Sequence, residues 1–233
     1  MYKELEDVKA VFFDLDDTLY DQLKPFSLAL ESENLTIEPS LIEPLFKKVR
    51  FYSDLLWKTY TNGKIDLDEL RTKRLIMACN DYNVDLSLEK AKMIQASYEK
   101  QQNSIKPFSD VESLIINLHQ YKKMVGIITN GPVEHQYKKI KALQLHRLIS
   151  RDKIFISDSI GIAKPDKRIF HYVQKQVEVN SNQCCYIGDN WENDVISPIE
   201  AGWKTVWFNH RNRDPETNHS PIKEIVEYKN FMV

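Results

Sequence analysis

The chain has 233 residues, 42% hydrophobic and 28% charged, with a net charge of −2, which is ordinary globular composition and enough length to bury about 70–75% of its unfolded surface in one domain or two small ones. Near-neutral charge without a basic patch argues against nucleic acid as a partner, and apolar runs as short as Met124-Val125-Gly126-Ile127-Ile128 cannot span a bilayer. Met1-Tyr2-Lys3-Glu4-Leu5-Glu6 contains no apolar signal segment, so a cytoplasmic location is expected, with Cys79, Cys184 and Cys185 as reduced structural thiols rather than a disulfide framework or a zinc site.

The first predicted element is a strand over 9–13 whose Val11, Phe12 and Phe13 are built for burial. It ends in Asp14, Asp16 and Asp17. Acids this close together at a buried strand end need a cation or hydrogen-bond donors to hold their charge. Alternation along an extended strand turns Asp14 and Asp16 to one side and Leu15 away. Two converging carboxylates suit hard-cation binding, acid–base work, or both.

From about residue 21 to 104 the periodicity becomes helical. Leu55, Leu56, Thr59 and Tyr60 fit one helix; Leu67, Leu70, Arg74, Leu75 and Ala78 fit a second, opened by Asp66 as N-cap with Glu69 three residues on; a third covers 88–98. Tyr52, Trp57, Tyr60, Arg71 and Arg74 read as packing or solvated residues of this insert. Beyond residue 105, strands at 125–129, 154–156, 184–187 and 205–208 alternate with helices at 133–143, 166–176 and 194–201. This alternation predicts an α/β fold, a Rossmann-like and mainly parallel sheet covered on both faces. Residues 1–20 and 105–233 form that core, and 21–104 a helical domain inserted after the first strand. Trp191, Trp203 and Trp207 read as packing residues, the six histidines show no catalytic spacing, and 209–233 carries no chemical signal.

Ligands of open parallel sheets bind beyond the carboxyl ends of the strands. The polar residues there are Asp14, Asp16 and Thr18 after the first strand, Thr129-Asn130-Gly131 after the second, Lys164-Pro165-Asp166 after the third, and Gly188-Asp189-Asn190 with Asp194 after the fourth. A divalent cation is the economical explanation for so many acids, and Lys164 and Thr129 then read as anion holders. Cation, lysine and backbone N–H donors together suit phosphoryl chemistry.

These segments resemble, in order and spacing, the four motifs of the haloacid dehalogenase superfamily: Asp14-Leu15-Asp16-Asp17-Thr18, Thr129-Asn130-Gly131, Lys164-Pro165, and Gly188-Asp189 through Asp194. The insert is similar to the family's C1-type helical cap. The resemblance implies that Asp14 is a nucleophile forming an aspartyl-phosphate and Asp16 the general acid and then base. It implies Mg²⁺ held by Asp14, the backbone carbonyl of Asp16, and Asp189, with Asp194 in support. Thr129, Asn130 and Lys164 would hold the phosphoryl oxygens, and Thr18 would position the loop. The expected activity is Mg²⁺-dependent hydrolysis of a small phosphorylated metabolite, a nucleoside 5'-monophosphate being the first candidate. A sugar phosphomutase, a haloacid dehalogenase and a non-catalytic binding protein of this fold are the alternatives. The dehalogenase is disfavoured because Asp16 is present, and the non-catalytic protein because no motif residue is lost.

Overall fold

The computed structural model of the chain describes residues 3–231, and no helix among them is long and apolar enough to cross a membrane. The chain divides into two compact units, Met1–Asp21 with Ile105–Val233, and Gln22–Ser104.

The first unit is built on six strands, β1 (Ala10–Phe13), β2 (Met124–Thr129), β3 (Ile154–Ile156), β4 (Cys184–Gly188), β5 (Lys204–Phe208) and β6 (Lys223–Ile225). They form one sheet in the order β3-β2-β1-β4-β5-β6, with every neighbouring pair parallel. Both faces are covered, as the alternation of side chains shows. Val11, Phe13, Val125, Ile127, Cys185 and Ile187 enter one apolar core, while Ala10, Phe12, Ile128, Cys184 and Tyr186 enter the other. Neighbours Cys184 and Cys185 thus point to opposite faces, and burial pushes the Cys184 thiol up to about 12. The chain leaves β1 toward β2 and β3 and then crosses to β4 on the other side of β1. Order reverses there, so a crevice opens beyond the carboxyl ends of β1 and β4.

In the second unit, α1 (Leu23–Ser32), α2 (Pro39–Thr61), α3 (Leu67–Asn80) and α4 (Leu88–Gln102) bury Phe26, Leu30, Leu45, Phe46, Leu75 and Ile94 among themselves. Asp66 caps α3 as its sequence predicts, its Oδ1 accepting from the Glu69 backbone N–H at 2.7 Å. Helix α1 lies within the stretch read as helical but was not delimited there as a separate helix, and α2 begins well before the apolar residues that signalled it.

The first unit adds α5 (Val111–Gln120), α6 (Val133–Ala142), α7 (Ser157–Ile160), α8 (Arg168–Val177) and α9 (Ser197–Glu200). Ile169, Phe170, Val173 and Val177 form the buried stripe of α8. Asp166 stands before this helix rather than within it, accepting from the Arg168 N–H at 2.9 Å. The helix expected over 194–201 is a π-helical stretch, Trp191–Ile196, running into α9. Asn190 starts it, its side chain accepting from the Asn193 N–H.

Candidate active site

Asp14 follows β1 directly, its N–H donating to the Ile187 carbonyl at 2.9 Å, so the central strand pair fixes its backbone. Its carboxylate lies beside the buried ammonium of Lys164, with Nζ 2.7 Å from Asp14 Oδ1, 2.6 Å from Asp194 Oδ1 and 2.7 Å from Tyr186 Oη. The Tyr186 hydroxyl in turn donates to the Ile128 carbonyl at 2.6 Å. Burial works against the Lys164 charge, but Asp14 and Asp194 outweigh it and hold the ammonium well above the ordinary lysine range.

The Lys164 loop is tied to the end of β2 by a reciprocal pair. Asn130 Nδ2 donates to the Lys164 carbonyl at 2.8 Å, and the Lys164 N–H donates to Asn130 Oδ1 at 3.0 Å. The Asn130 side chain is therefore committed to positioning Lys164. Gly131 N–H donates to Ser157 Oγ at 3.1 Å, with φ at 137°, a conformation that favours glycine. Thr129 accepts at Oγ1 from Gln136 Nε2 at 2.5 Å, which leaves its hydroxyl proton able to donate.

Gly188 ends β4, and a Cβ there would come within 2.5 Å of the Asp194 side chain. Only glycine lets Asp194 approach. Asp194 accepts from the Asn190 N–H at 3.0 Å, and Asp189 is held through Thr18, whose Oγ1 accepts from the Asp189 N–H at 3.1 Å and donates to Asp189 Oδ1 at 3.3 Å. The Trp207 indole, besides packing, donates to the Asp189 carbonyl at 2.9 Å.

One carboxylate oxygen from each of Asp14, Asp189 and Asp194 lies within 4.8 Å of the others. Burial, then the nearby carboxylates, pushes Asp189 well above the usual carboxylate range; burial raises Asp14 to about 7 despite Lys164. An all-oxygen donor set whose three carboxylates outnumber the Lys164 ammonium and the Arg213 guanidinium, 3.4 Å from Asp189 Oδ2, fits a hard divalent cation. Asp194 joins this group directly, a larger part than the sequence assigned to it. The Asp16 carboxylate does not join it. The strand stops at Phe13 and the chain turns, with Leu19 N–H donating to the Leu15 carbonyl at 3.0 Å, so strand alternation no longer sets where Asp16 points. Its carboxylate instead meets Lys139, at 2.6 and 2.7 Å from Nζ to Oδ1 and Oδ2.

A folded value of about 7 for Asp14 lies above its ordinary 3.8. The stability it contributes is therefore present below about pH 4 and lost as pH rises through about 7. A cation that binds the ionised group reverses the loss. Mg²⁺ is expected to raise the thermal midpoint more at pH 7.5 than at pH 5.5, against matched EDTA samples. Equal shifts at both pH values would show that these carboxylates are not the ion's ligands.

Several partners were not read from the sequence. Gln136 and Lys139 share one face of α6 with the buried Ile140, and two polar residues on a core-facing stripe were the available sign. Asp17 sits at φ 63°. Burial opposes its charge, but His210, 3.4 Å away, and Arg211, at 2.6 Å, outweigh that and hold its carboxyl down at about 2. His210 thus has an acidic partner far off in sequence.

The model of the haloacid dehalogenase-like hydrolases matches residues 8–202. Pyrimidine 5'-nucleotidase YjjG of Escherichia coli (strain K12) is 28% identical over 211 residues, covering 88% of this chain and 88% of that protein. A glyceraldehyde 3-phosphate phosphatase of Methanothermobacter thermautotrophicus is 24% identical over 222 residues, covering 91% of this chain and 90% of that protein. A dehalogenase crystal structure shares the fold with a TM-score of 0.76 at 21% identity, over 97% of this chain and 96% of that one. With the parallel sheet, the four strand-end segments and a match across most of its length, the chain belongs to the haloacid dehalogenase-like hydrolase family.

Proposed function

We propose that the chain is a Mg²⁺-dependent phosphomonoesterase acting through an aspartyl-phosphate on Asp14. The observation that carries this reading is the pairing of a buried Asp14, 2.7 Å from Lys164, with a second carboxylate two residues on. In the first step an Asp14 carboxylate oxygen attacks phosphorus, the bond to the leaving oxygen breaks, and Asp16 gives that oxygen a proton. In the second step Asp16 takes a proton from the attacking water, phosphate leaves, and Asp14 is restored. Lys164 and the Thr129 hydroxyl hold phosphoryl oxygens, with the Asn130 N–H in support. Thr18 positions the Asp189 loop. Asp14, Asp189, Asp194 and the Asp16 carbonyl would hold Mg²⁺, which when bound supplies positive charge against the phosphoryl oxygens and the nucleophile.

The presence of Asp16 favours phosphate esters over haloacids, because an ester's leaving oxygen needs a proton and a halide does not. The likeness to pyrimidine 5'-nucleotidase YjjG supports a nucleoside 5'-monophosphate as substrate, and the likeness to a glyceraldehyde 3-phosphate phosphatase supports a small sugar phosphate. Phosphate release from nucleoside monophosphates, sugar phosphates and phosphoglycolate, with Mg²⁺ and with EDTA, tests the reading. Metal-dependent release from one class is expected. No release from any member would overturn it.

A further inference from the structure

Lys139, Tyr20 and Gln136 hold the Asp16 carboxylate. Lys139 Nζ contacts both oxygens, at 2.6 and 2.7 Å, Tyr20 Oη donates to Oδ1, and Gln136 Nε2 donates to Oδ2 at 3.1 Å. Lys139 is itself buried, its side chain 8% exposed. A buried ammonium is costly unless paired, so this pair exists because both groups are fixed on the scaffold, Asp16 after β1 and Lys139 on α6. Gln136 links the pair to the phosphoryl-binding turn, since its Nε2 also reaches Thr129 Oγ1 at 2.5 Å and the Asn130 carbonyl at 3.0 Å, its two protons shared among the three acceptors.

These donors fill the lone-pair positions of a carboxylate, which number about four. An oxygen that is to exchange a proton with a leaving group or a water must give up one of them. Gln136 and Tyr20 are neutral and yield more readily, whereas displacing a buried ammonium leaves two unpaired charges. The ammonium is therefore the fixed anchor, and the neutral donors are the ones that give way.

We propose that Lys139 is a positioning residue of the phosphatase reaction, anchoring Asp16 so that it faces the leaving oxygen. This rests on the phosphomonoesterase reading, and it makes Lys139 matter in proportion to the leaving group's need for a proton. The test measures kcat/KM, which reports the steps through phosphoryl transfer, for glycerol 2-phosphate, a poor leaving group, and 4-nitrophenyl phosphate, a good one, with Mg²⁺. Lys139→Met is expected to lower the ratio of the two kcat/KM values about 10-fold or more, a fraction of what general acids contribute. Lys139→Arg, which keeps a charged two-point donor, restores most of the ratio. Lys139→Gln, a donor without charge, takes the place of the Met variant if that one does not fold. Equal losses on both esters, or a gain on glycerol 2-phosphate, would reduce Lys139 to a structural role. Wild-type protein inert toward these two esters and toward every nucleotide, sugar phosphate and phosphoglycolate named above would overturn the phosphatase reading, and the inference with it.

Discussion

Asp14→Asn is expected to lower phosphate release at least about 10⁴-fold while leaving the fold intact. The size follows from removing a covalent nucleophile, whose loss in well-studied hydrolases costs of this order or more. It corresponds to about 5.5 kcal/mol of transition-state stabilisation. Structural survival follows from the contacts. The amide keeps the size of the acid, its Oδ1 can accept from Lys164 Nζ, and the backbone bond to the Ile187 carbonyl does not involve the side chain. The substitution also removes a carboxylate that burial has pushed up to about 7. In EDTA at pH 7.5 the variant should therefore unfold at or above the wild-type midpoint, and its stability should decline less between pH 4 and pH 7. Scanning calorimetry and phosphate release on one preparation check both halves. Turnover within tenfold of wild type would remove Asp14 from the nucleophile's role.

The sequence carried more of the site than of its surroundings. The four strand-end segments were legible because each couples a short apolar run to polar residues, and burial of the run forces those residues to the rim. Strand β6 was not legible, since Lys223-Glu224-Ile225 has one buried residue and pairs only along β5 at the sheet edge. Lys139 was hidden for a different reason. On α6 it looks like any solvated helical lysine, and the carboxylate it serves is 123 residues earlier. Asp16 illustrates the same limit from the other side. Period-two alternation was the right rule up to Phe13, and the turn that follows hands placement to contacts that no local pattern contains.

Lys164→Met should affect stability and catalysis together, and the metal should separate the two. The ammonium is the common donor to Asp14 and Asp194. Deleting it leaves both carboxylates buried without their cation, a change that typically costs about 3–5 kcal/mol. Methionine fills nearly the same volume, and Tyr186 keeps its bond to the Ile128 carbonyl, so the loss is mainly electrostatic. Because Asp14, Asp189 and Asp194 would bind the added ion, Mg²⁺ should recover part of the lost stability, more than it adds to wild type. Activity should not recover with it. A phosphoryl oxygen would still lack its lysine, and the loss of one such donor costs about 10²–10³ in turnover. Urea unfolding in EDTA and in Mg²⁺, with turnover measured in Mg²⁺, reads each part. A variant whose stability ignores Mg²⁺ would show that the carboxylate cluster and Lys164 do not share one charge balance. A variant stabilised by Mg²⁺ and fully active would place the phosphate's cation partner elsewhere in the site.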